Sequence, residues 1–137
     1  MNKKLFLFTK QWLSGFTLAD GSFLVLFDKR KGGKLPYRPR PVFIISQSIR
    51  ELDMMEALKA HLGAGTLQIN RTRGDINLVI SSLEDIMNII IPHFDMYPVL
   101  GGKKMSYNIF RKVVYLMNDN KHKTLDGFLQ ILSLSYS

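Results

Sequence analysis

Hydrophobic residues recur along the chain with two different spacings, one typical of helices and one typical of strands. From about Thr9 to Ala19 the apolar positions and the small residues between them predict a helix. From Gly21 onward aromatic and β-branched residues alternate with other residues, as in a strand with one buried face. The segment 31–36, rich in glycine and lysine, predicts a turn, and Tyr37 to Gln47 returns as the partner strand. The chain is therefore predicted to open with a helix followed by a β-hairpin.

A second helix and a second hairpin follow in the same order. Glu51 to Leu62 has one apolar helical face and stops at Gly63, since glycine is favoured just past a helix end. Thr66 to Asn70 and Asp75 to Ile80 predict two further strands. Three more helices are predicted, one opening at Ser82 with Asp85 at the spacing of a capping box, one from Lys104 to Met117 and one from Leu125 to Leu134. This order predicts an α+β fold with one mostly antiparallel sheet.

Composition limits the classes of protein that remain. The chain has 137 residues, which suits a single domain over residues 1–137, and 46% of them are hydrophobic, which suits a compact core. Nineteen Lys and Arg against eleven Asp and Glu give a formal net charge of +8, which favours polyanionic partners such as nucleic acid. The absence of cysteine excludes a disulfide framework, a thiolate zinc site and a cysteine nucleophile.

No targeting or membrane segment is visible in the sequence. The apolar stretch from Leu5 to Phe8 follows a basic start, but Lys10 interrupts it and no small-residue cleavage site follows. No apolar run is long enough to span a bilayer, so no membrane association is expected.

The segment from Trp12 to Phe23 carries the most specific chemical signal. Gly15 and Ala19 are four residues apart and share one helical face, which allows a second helix to approach closely. Asp20 is predicted at the C-terminal end of this helix, where the helix dipole disfavours a negative charge. A bound cation would account for that acid, and so would a simple Asp-Gly turn in which Gly21 reverses the chain. The residues alone leave both interpretations open.

Residues 13 to 21 resemble the nine-residue signature of the LAGLIDADG homing endonucleases. Leu13, Gly15, Ala19, Asp20 and Gly21 match it, Phe16 is a frequent variant, and Ser22-Phe23 follow as in the family. The segments 94–103 and 123–128 and the helix through Phe110 also resemble members that carry a single motif. The resemblance implies an αββαββα-type domain with a saddle-shaped sheet. It further implies a site-specific endonuclease that hydrolyses both strands of DNA at a long pseudo-palindromic site and acts as a homodimer.

The resemblance also implies roles for individual residues. Asp20 matches the acid that binds the divalent metal, Gln47 a polar residue that organises active-site water, and Lys103 a lysine that stabilises charge or assists deprotonation of that water. Leu18 stands where the motif usually has a second Asp, so the packing near the helix end is expected to differ. The dimer is expected to form around Leu13, Gly15, Phe16 and Ala19.

Two such helices on a two-fold axis would bring two Asp20 carboxylates together. An all-oxygen ligand set suits Mg²⁺, and Mn²⁺ is expected to substitute for it. His61, His93 and His122 lack any ligand spacing with an acid and are expected to be surface or helix-end residues.

The sheet is expected to be the DNA-reading surface, as it is in the family. Mixed Arg, Asn, Gln and Asp side chains suit base edges in the major groove. The residues predicted to contact DNA are Leu24, Leu26, Asp28, Arg30, Lys34, Arg38, Arg40, Ile44, Ser46, Gln68, Asn70, Arg71, Arg73, Asp75 and Asn77.

Two other functions remain compatible with the sequence. Some proteins with this motif resemble maturases, so an RNA-binding cofactor of intron splicing is one alternative, with intron RNA as its partner. A basic DNA-binding protein that does not cleave is the other. Family members of this kind are commonly encoded in mitochondria or chloroplasts, so an organellar location is expected.

Overall fold

The computed structural model describes residues 8–136 and contains the predicted alternation of helices and hairpins. Its elements are α1 (Lys10–Asp20), β1 (Gly21–Lys29), β2 (Tyr37–Ser48), α2 (Leu52–Leu62), β3 (Thr66–Asn70), β4 (Asp75–Ile80), α3 (Leu83–Asp85), α4 (Ile91–Met96), α5 (Gly102–Asn118) and α6 (Leu125–Ser135). A 3-10 turn, Ile49–Glu51, precedes α2, and another, Lys121–Lys123, precedes α6. The α+β fold class predicted from the sequence is confirmed.

The sheet has four antiparallel strands in the order β1-β2-β4-β3. The two hairpins therefore meet through β2 and β4 at its centre. Side chains alternate between the two sheet faces, and the face that carries Phe23, Phe43 and Ile45 is buried under the helices. The other face has no helix packed on it among the elements described.

Two apolar clusters hold the helices to the sheet. The larger contains Phe23, Phe43, Phe94 and Phe110, with ring centroids of Phe23 and Phe94 5.1 Å apart. The smaller is built around Val113, Met117 and Ile131 and receives Val25 and Phe27 from β1. The first cluster lies under the centre of the sheet, and the second lies between α5, α6 and the outer half of the first hairpin.

The helix that opens at Ser82 is not the regular α-helix that the sequence predicts. Ser82 accepts a hydrogen bond from the Asp85 backbone N–H at 3.3 Å, as expected of a helix cap, and α3 then passes into a π-helical turn, Ile86–Ile90, before α4. The buried positions 86, 90, 91 and 94 are spaced i, i+4, i+5 and i+8, one residue longer than the i, i+3, i+4, i+7 stripe of an α-helix. The wide turn accommodates that extra residue.

The apolar stretch near the start of the chain, which the sequence does not identify as a targeting segment, falls mostly within residues 1–7, which lie outside the described residues. Within residues 8–136 no helix combines the length and the apolar character needed to cross a membrane.

Candidate nucleic-acid interface and active site

Asp20 is the last residue of α1 and is exposed beside the sheet. Thr9 begins the helix by accepting a hydrogen bond from the Trp12 N–H at 3.0 Å. Gly21 does not reverse the chain as the sequence analysis expected: its backbone is extended, at φ −100° and ψ 166°, and β1 starts there directly. Glycine is needed because a Cβ atom would lie 2.7 Å from Cγ2 of Thr17. The tight contact between the start of β1 and the last turn of α1 fixes the position of Asp20 relative to the sheet.

Lys103 reaches the same end of α1 from a distant part of the sequence. It lies in the first turn of α5, whereas the sequence placed it just before the helix. Its Nζ donates to the backbone oxygens of Thr17 and Leu18, each at 3.4 Å, and to the backbone oxygen of Gly21. A lysine ammonium thus covers the free carbonyl end of the helix that carries Asp20, where a positive charge is favoured. Lys103 therefore lies at the end of the helix that carries Asp20, and the catalytic roles of both residues stay predictions.

Gln47 lies near the end of β2 and is half-buried. Gly21 pairs with Ile45, so Gln47 is two residues beyond the last pair of β1 with β2, on the side where α1 ends. Its neighbour across the sheet is Ile76. Gln47 is therefore near the end of α1 along the sheet register, on the helix-covered face.

A single chain offers few ligands for a metal ion. Within residues 8–136 no three His, Asp or Glu side chains are grouped closely enough to hold one. Asp20 supplies one exposed carboxylate, and the carbonyl oxygens beside it are occupied by Lys103. Such oxygen donors fit Mg²⁺ or Ca²⁺ better than zinc, but a full shell needs donors from elsewhere.

The open sheet face collects the strand residues predicted to contact DNA. The strand register puts them on the side away from the helices, and none of them is buried. The predicted residues on this face are Leu24, Leu26, Asp28, Arg38, Arg40, Ile44, Ser46, Gln68, Asn70, Asp75 and Asn77. Arg30 and Lys34 lie instead in the loop of the first hairpin, and Arg71 and Arg73 lie in the turn of the second. Their contact with DNA stays a prediction.

Several polar side chains of the open sheet face hold one another in place. Arg40 donates to Asp28 at 2.8 Å, and Ser46 donates to the side-chain oxygen of Asn77. Arg73 lies 3.2 Å from Asp75 at the end of the second hairpin. These pairs are exposed, so each contributes little to folding stability but orients a polar group across the face.

The residues predicted for the dimer contact differ in their exposure. Leu13 is only 4% exposed and packs in the core, so little of its area is available to a partner, and its place in the contact stays a prediction. Phe16 is half-buried, with its ring centroid 4.8 Å from that of Trp12. Gly15 and Ala19 are exposed, and a Cβ at Gly15 would meet no atom within 4 Å. The small-residue face of α1 is therefore uncovered.

Large apolar side chains surround this uncovered face, a feature the sequence analysis missed. Leu18 is 44% exposed, Met96 72% and Leu100 66%, and all three line a groove alongside Gly15. Met105, in α5 after Lys103, is 69% exposed. Met96 and Leu100 were recognisable only as apolar residues near a predicted helix end, and nothing in their spacing distinguished them from core residues.

Two of the three histidines, His93 and His122, are more buried than the sequence suggested, whereas His61 is exposed as expected. His93 lies with its Nε2 3.1 Å from the Ser14 hydroxyl, which also donates to the Tyr97 carbonyl, and so links α1 to α4. Burial, and then the charge of Lys10, lower the pKa of His93. His122 was expected at the surface but is buried, because the turn that carries it packs against the first hairpin.

A buried tyrosine fixes the helix that presents Lys103. The Tyr107 hydroxyl donates to Asp95 at 2.7 Å and contacts the Ile91 backbone oxygen at 3.1 Å, and Arg111 donates to Asp95 at 2.9 Å. Burial and the nearby Asp95 raise the pKa of Tyr107. Burial acts to raise the pKa of Asp95, but its bonds to Arg111 and Tyr107 outweigh that effect and hold it below its usual value. The cluster joins α4 to α5 one turn after Lys103.

The four-stranded antiparallel sheet and the helix that ends at Asp20 have the architecture implied by the motif recognised in the sequence. The family model described as "LAGLIDADG endonuclease" matches residues 13–114. The chain belongs to this family.

A curated relative and two solved structures are similar over most of the chain. The "Probable intron-encoded DNA endonuclease 1" of Mycosarcoma maydis is 53% identical over 136 residues, 99% of this chain and 48% of the relative. I-SmaMI, solved bound to uncleaved DNA in the presence of calcium ions, aligns with a TM-score of 0.90 at 30% identity over 93% of this chain and 43% of its own. The I-LtrWI LAGLIDADG homing endonuclease bound to target DNA aligns with a TM-score of 0.92 at 27% identity, over 98% and 45%. The chain thus spans about half the length of these relatives.

Proposed function

We propose that this chain is a domain of a site-specific DNA endonuclease in which two copies of the fold assemble around α1 and cut both strands with divalent metal. The observation that carries the proposal is that Lys103 bonds to backbone oxygens at the end of α1, the helix that ends in the exposed Asp20 and passes directly into β1. Membership of the endonuclease family and the calcium and DNA reported for I-SmaMI support it.

The proposed metal site requires two copies of the fold, because each copy supplies only one carboxylate, that of Asp20. Gly15 and the exposed Leu18, Met96 and Leu100 form a surface suited to a second α1 with its surroundings, since close helix packing needs small residues and burial of apolar area drives association. The relatives are about twice as long as this chain, which leaves room for two such domains in one polypeptide. For this chain we propose a homodimer.

The chemistry assigns distinct tasks to three residues. Asp20 from each copy would hold Mg²⁺, or Mn²⁺ in its place, together with phosphate oxygens. When bound, such a metal polarises the scissile phosphate and lowers the pKa of the attacking water. Lys103 supplies positive charge next to Asp20 without occupying the carboxylate itself, and it can stabilise negative charge that builds up on the phosphate. Gln47 would orient water through its amide group.

The open sheet face would recognise the target sequence. Its polar side chains include amides, carboxylates and guanidinium groups, among them the hydrogen-bonded pairs Arg40–Asp28 and Ser46–Asn77, and such a mixture suits hydrogen bonding to base edges better than a row of lysines would. Double-stranded DNA is therefore the proposed partner.

Cleavage of a target selected from a randomised palindromic library tests the active site. Asp20→Asn keeps the side-chain size but removes the charge, so it should lower cleavage by several orders of magnitude while DNA binding persists. Glu56→Gln, at an exposed position of α2, is the matched control and should cut at the parent rate. Cutting by Asp20→Asn at the parent rate, or cutting by the parent in excess chelator, would refute the proposal.

The dimer has its own test. Light scattering on the DNA-bound protein should give two copies per duplex, and Gly15→Leu should abolish pairing because its side chain would occupy the space of the second helix. Ala60→Leu, exposed on α2, should leave pairing intact. A parent protein that stays monomeric on DNA would contradict the homodimer.

A further inference from the structure

A basic pocket lies between the loop of the first hairpin and the Lys121–Lys123 turn. Its lining includes Arg30, Lys34, Arg38, His122 and Lys123, and no acidic residue lines it. The pocket is partly open to solvent and has a volume of about 210 Å³. It is therefore large enough for a tetrahedral oxyanion with part of its hydration shell.

The charges of this pocket are not neutralised by any ion pair among the described residues. Among residues 8–136 none of the four cations, Arg30, Lys34, Arg38 and Lys123, forms an ion pair, and Asp28, which lies opposite Arg38 in the sheet register, is bonded to Arg40 instead. His122 is buried against them, and its Nδ1 has no hydrogen-bond partner. Burial first, and then the charges of Arg38, Lys123 and Arg30, lower the pKa of His122. An anion would relieve this concentration of positive charge.

Both walls of the pocket are held by the backbone. The Lys121 carbonyl packs so closely on α6 that a Cβ at Gly127 would lie 1.8 Å from its oxygen. Thr124 donates to that carbonyl and accepts from the Gly127 N–H, each at 3.1 Å. On the opposite wall the Arg30 N–H donates to the Pro36 carbonyl at 2.8 Å. Lys123 and Arg30 therefore project from backbone that hydrogen bonds hold in place, and Arg38 projects from β2.

We propose that this pocket binds a backbone phosphate of the DNA duplex, at a place separate from the cleavage site. Asp20 precedes β1 and Arg30 follows it, and a strand of nine residues spans about 30 Å. Arg38 then serves to anchor the duplex rather than to read a base, although it lies on the open sheet face. The assignment of this phosphate to DNA rests on the proposed function. The binding of a phosphate in the pocket does not depend on that function.

The first experiment measures DNA affinity against salt concentration, in calcium, for Lys123→Gln and for Lys121→Gln. Both lysines are exposed in the same turn, but only Lys123 lines the pocket. Lys123→Gln should weaken binding to target and random duplexes equally, roughly 3- to 10-fold for each copy of the chain on the duplex, and should reduce the slope of log K against log salt by about 0.9 for each copy. Lys121→Gln should change neither quantity. A loss confined to particular target bases, or an unchanged slope, would overturn the DNA assignment.

The second experiment uses inorganic phosphate and no DNA. The His122 pKa, followed by NMR, should rise on addition of phosphate, because the anion offsets the charges of Arg30, Arg38 and Lys123 that face the ring. Lys123→Gln should raise the pKa of His122 in the free protein and weaken its response to phosphate, and Lys121→Gln should behave as the parent does. No response in the parent would overturn the phosphate site. A response with no effect of Lys123→Gln on DNA binding would leave a free-phosphate site and refute the duplex contact.

Neither readout depends on cleavage. The Asp20→Asn protein should show the same salt dependence of DNA binding and the same response of His122 to phosphate. Failure of the endonuclease assignment can therefore be distinguished from failure of the phosphate-site proposal.

Discussion

Contact between Gly21 and Thr17 decides how α1 passes into β1. The chain crosses the last helical turn with no space for a methyl group, although its dihedral angles suit any residue. Sequence reasoning identified Gly21 through the motif but gave the wrong reason, because a steric contact across a turn has no signature in hydrophobic spacing.

We predict that Gly21→Ala lowers the free energy of unfolding by about 1–3 kcal/mol, the usual cost of forcing an extra carbon into a packed site. Gly15→Ala should instead stabilise the free chain by about 0.5–1 kcal/mol, because its Cβ is unobstructed and alanine favours a helix. Urea unfolding measures both. Equal effects of the two substitutions would contradict the steric explanation.

Lys103 links stability and the proposed catalysis. Lys103→Met should reduce cleavage strongly and also lower stability by about 0.3–1 kcal/mol, because the carbonyl end of α1 loses its cation. Lys104→Met changes an exposed neighbour in the same helix and should affect neither property much. Cleavage rates and urea unfolding of both variants decide the matter; a Lys103→Met protein that cuts like the parent would refute the role of this lysine.

The roles of Asp20, Gln47 and Lys103 came from family resemblance, and the structure adds the contacts of Lys103 with α1. Those contacts join residues more than 80 positions apart. The same limit explains why His122 was expected at the surface: its burial depends on the first hairpin, far away in the chain. Long-range proximity cannot be inferred from local pattern without an architectural template.

At the level of secondary structure, the strands were predicted best. β3 and β4 have the predicted bounds, since their alternation of apolar and polar residues is regular and Gly74 marks the turn, with φ 72°. The π turn was missed because Ile89, Ile90 and Ile91 are three consecutive apolar residues. The apolar positions therefore fit more than one helical register. A continuous apolar run does not fix which residues face the core.

The π turn gives a prediction about chain length. Deleting exposed Asn88 would convert the buried spacing of 86, 90, 91 and 94 into that of a regular α-helix, so the variant should fold with near-parental stability. Deleting exposed Glu56 from regular α2 should be much more harmful, because the rotation would turn Leu58 away from the core. Circular dichroism and urea unfolding test both deletions. Unfolding of the Asn88 deletion but not of the Glu56 deletion would contradict this account.

The stability of the whole molecule should depend on pH through its buried histidines. The pKa values of His93 and His122 are lowered in the folded state, so the unfolded chain binds more protons below about pH 6.5. Stability should therefore be fully present above that pH and decline as the pH falls towards the folded values. Urea unfolding between pH 8 and 5 measures the slope, and His122→Gln should flatten it. A stability that rises on acidification would contradict the pKa directions.

The two separate apolar clusters imply that the molecule does not open all at once. β2 pairs with β4 only from Phe43 to Ser48, so the outer half of the first hairpin has two strands and depends on Phe27, which packs with Phe128 and Tyr136. Local unfolding should release this half together with α6 while the central strands stay closed. In hydrogen–deuterium exchange, amides of 24–29 and of α6 should exchange as one group, ahead of those of β4. Duplex binding should slow that group most, so part of the binding free energy would be used to suppress this opening.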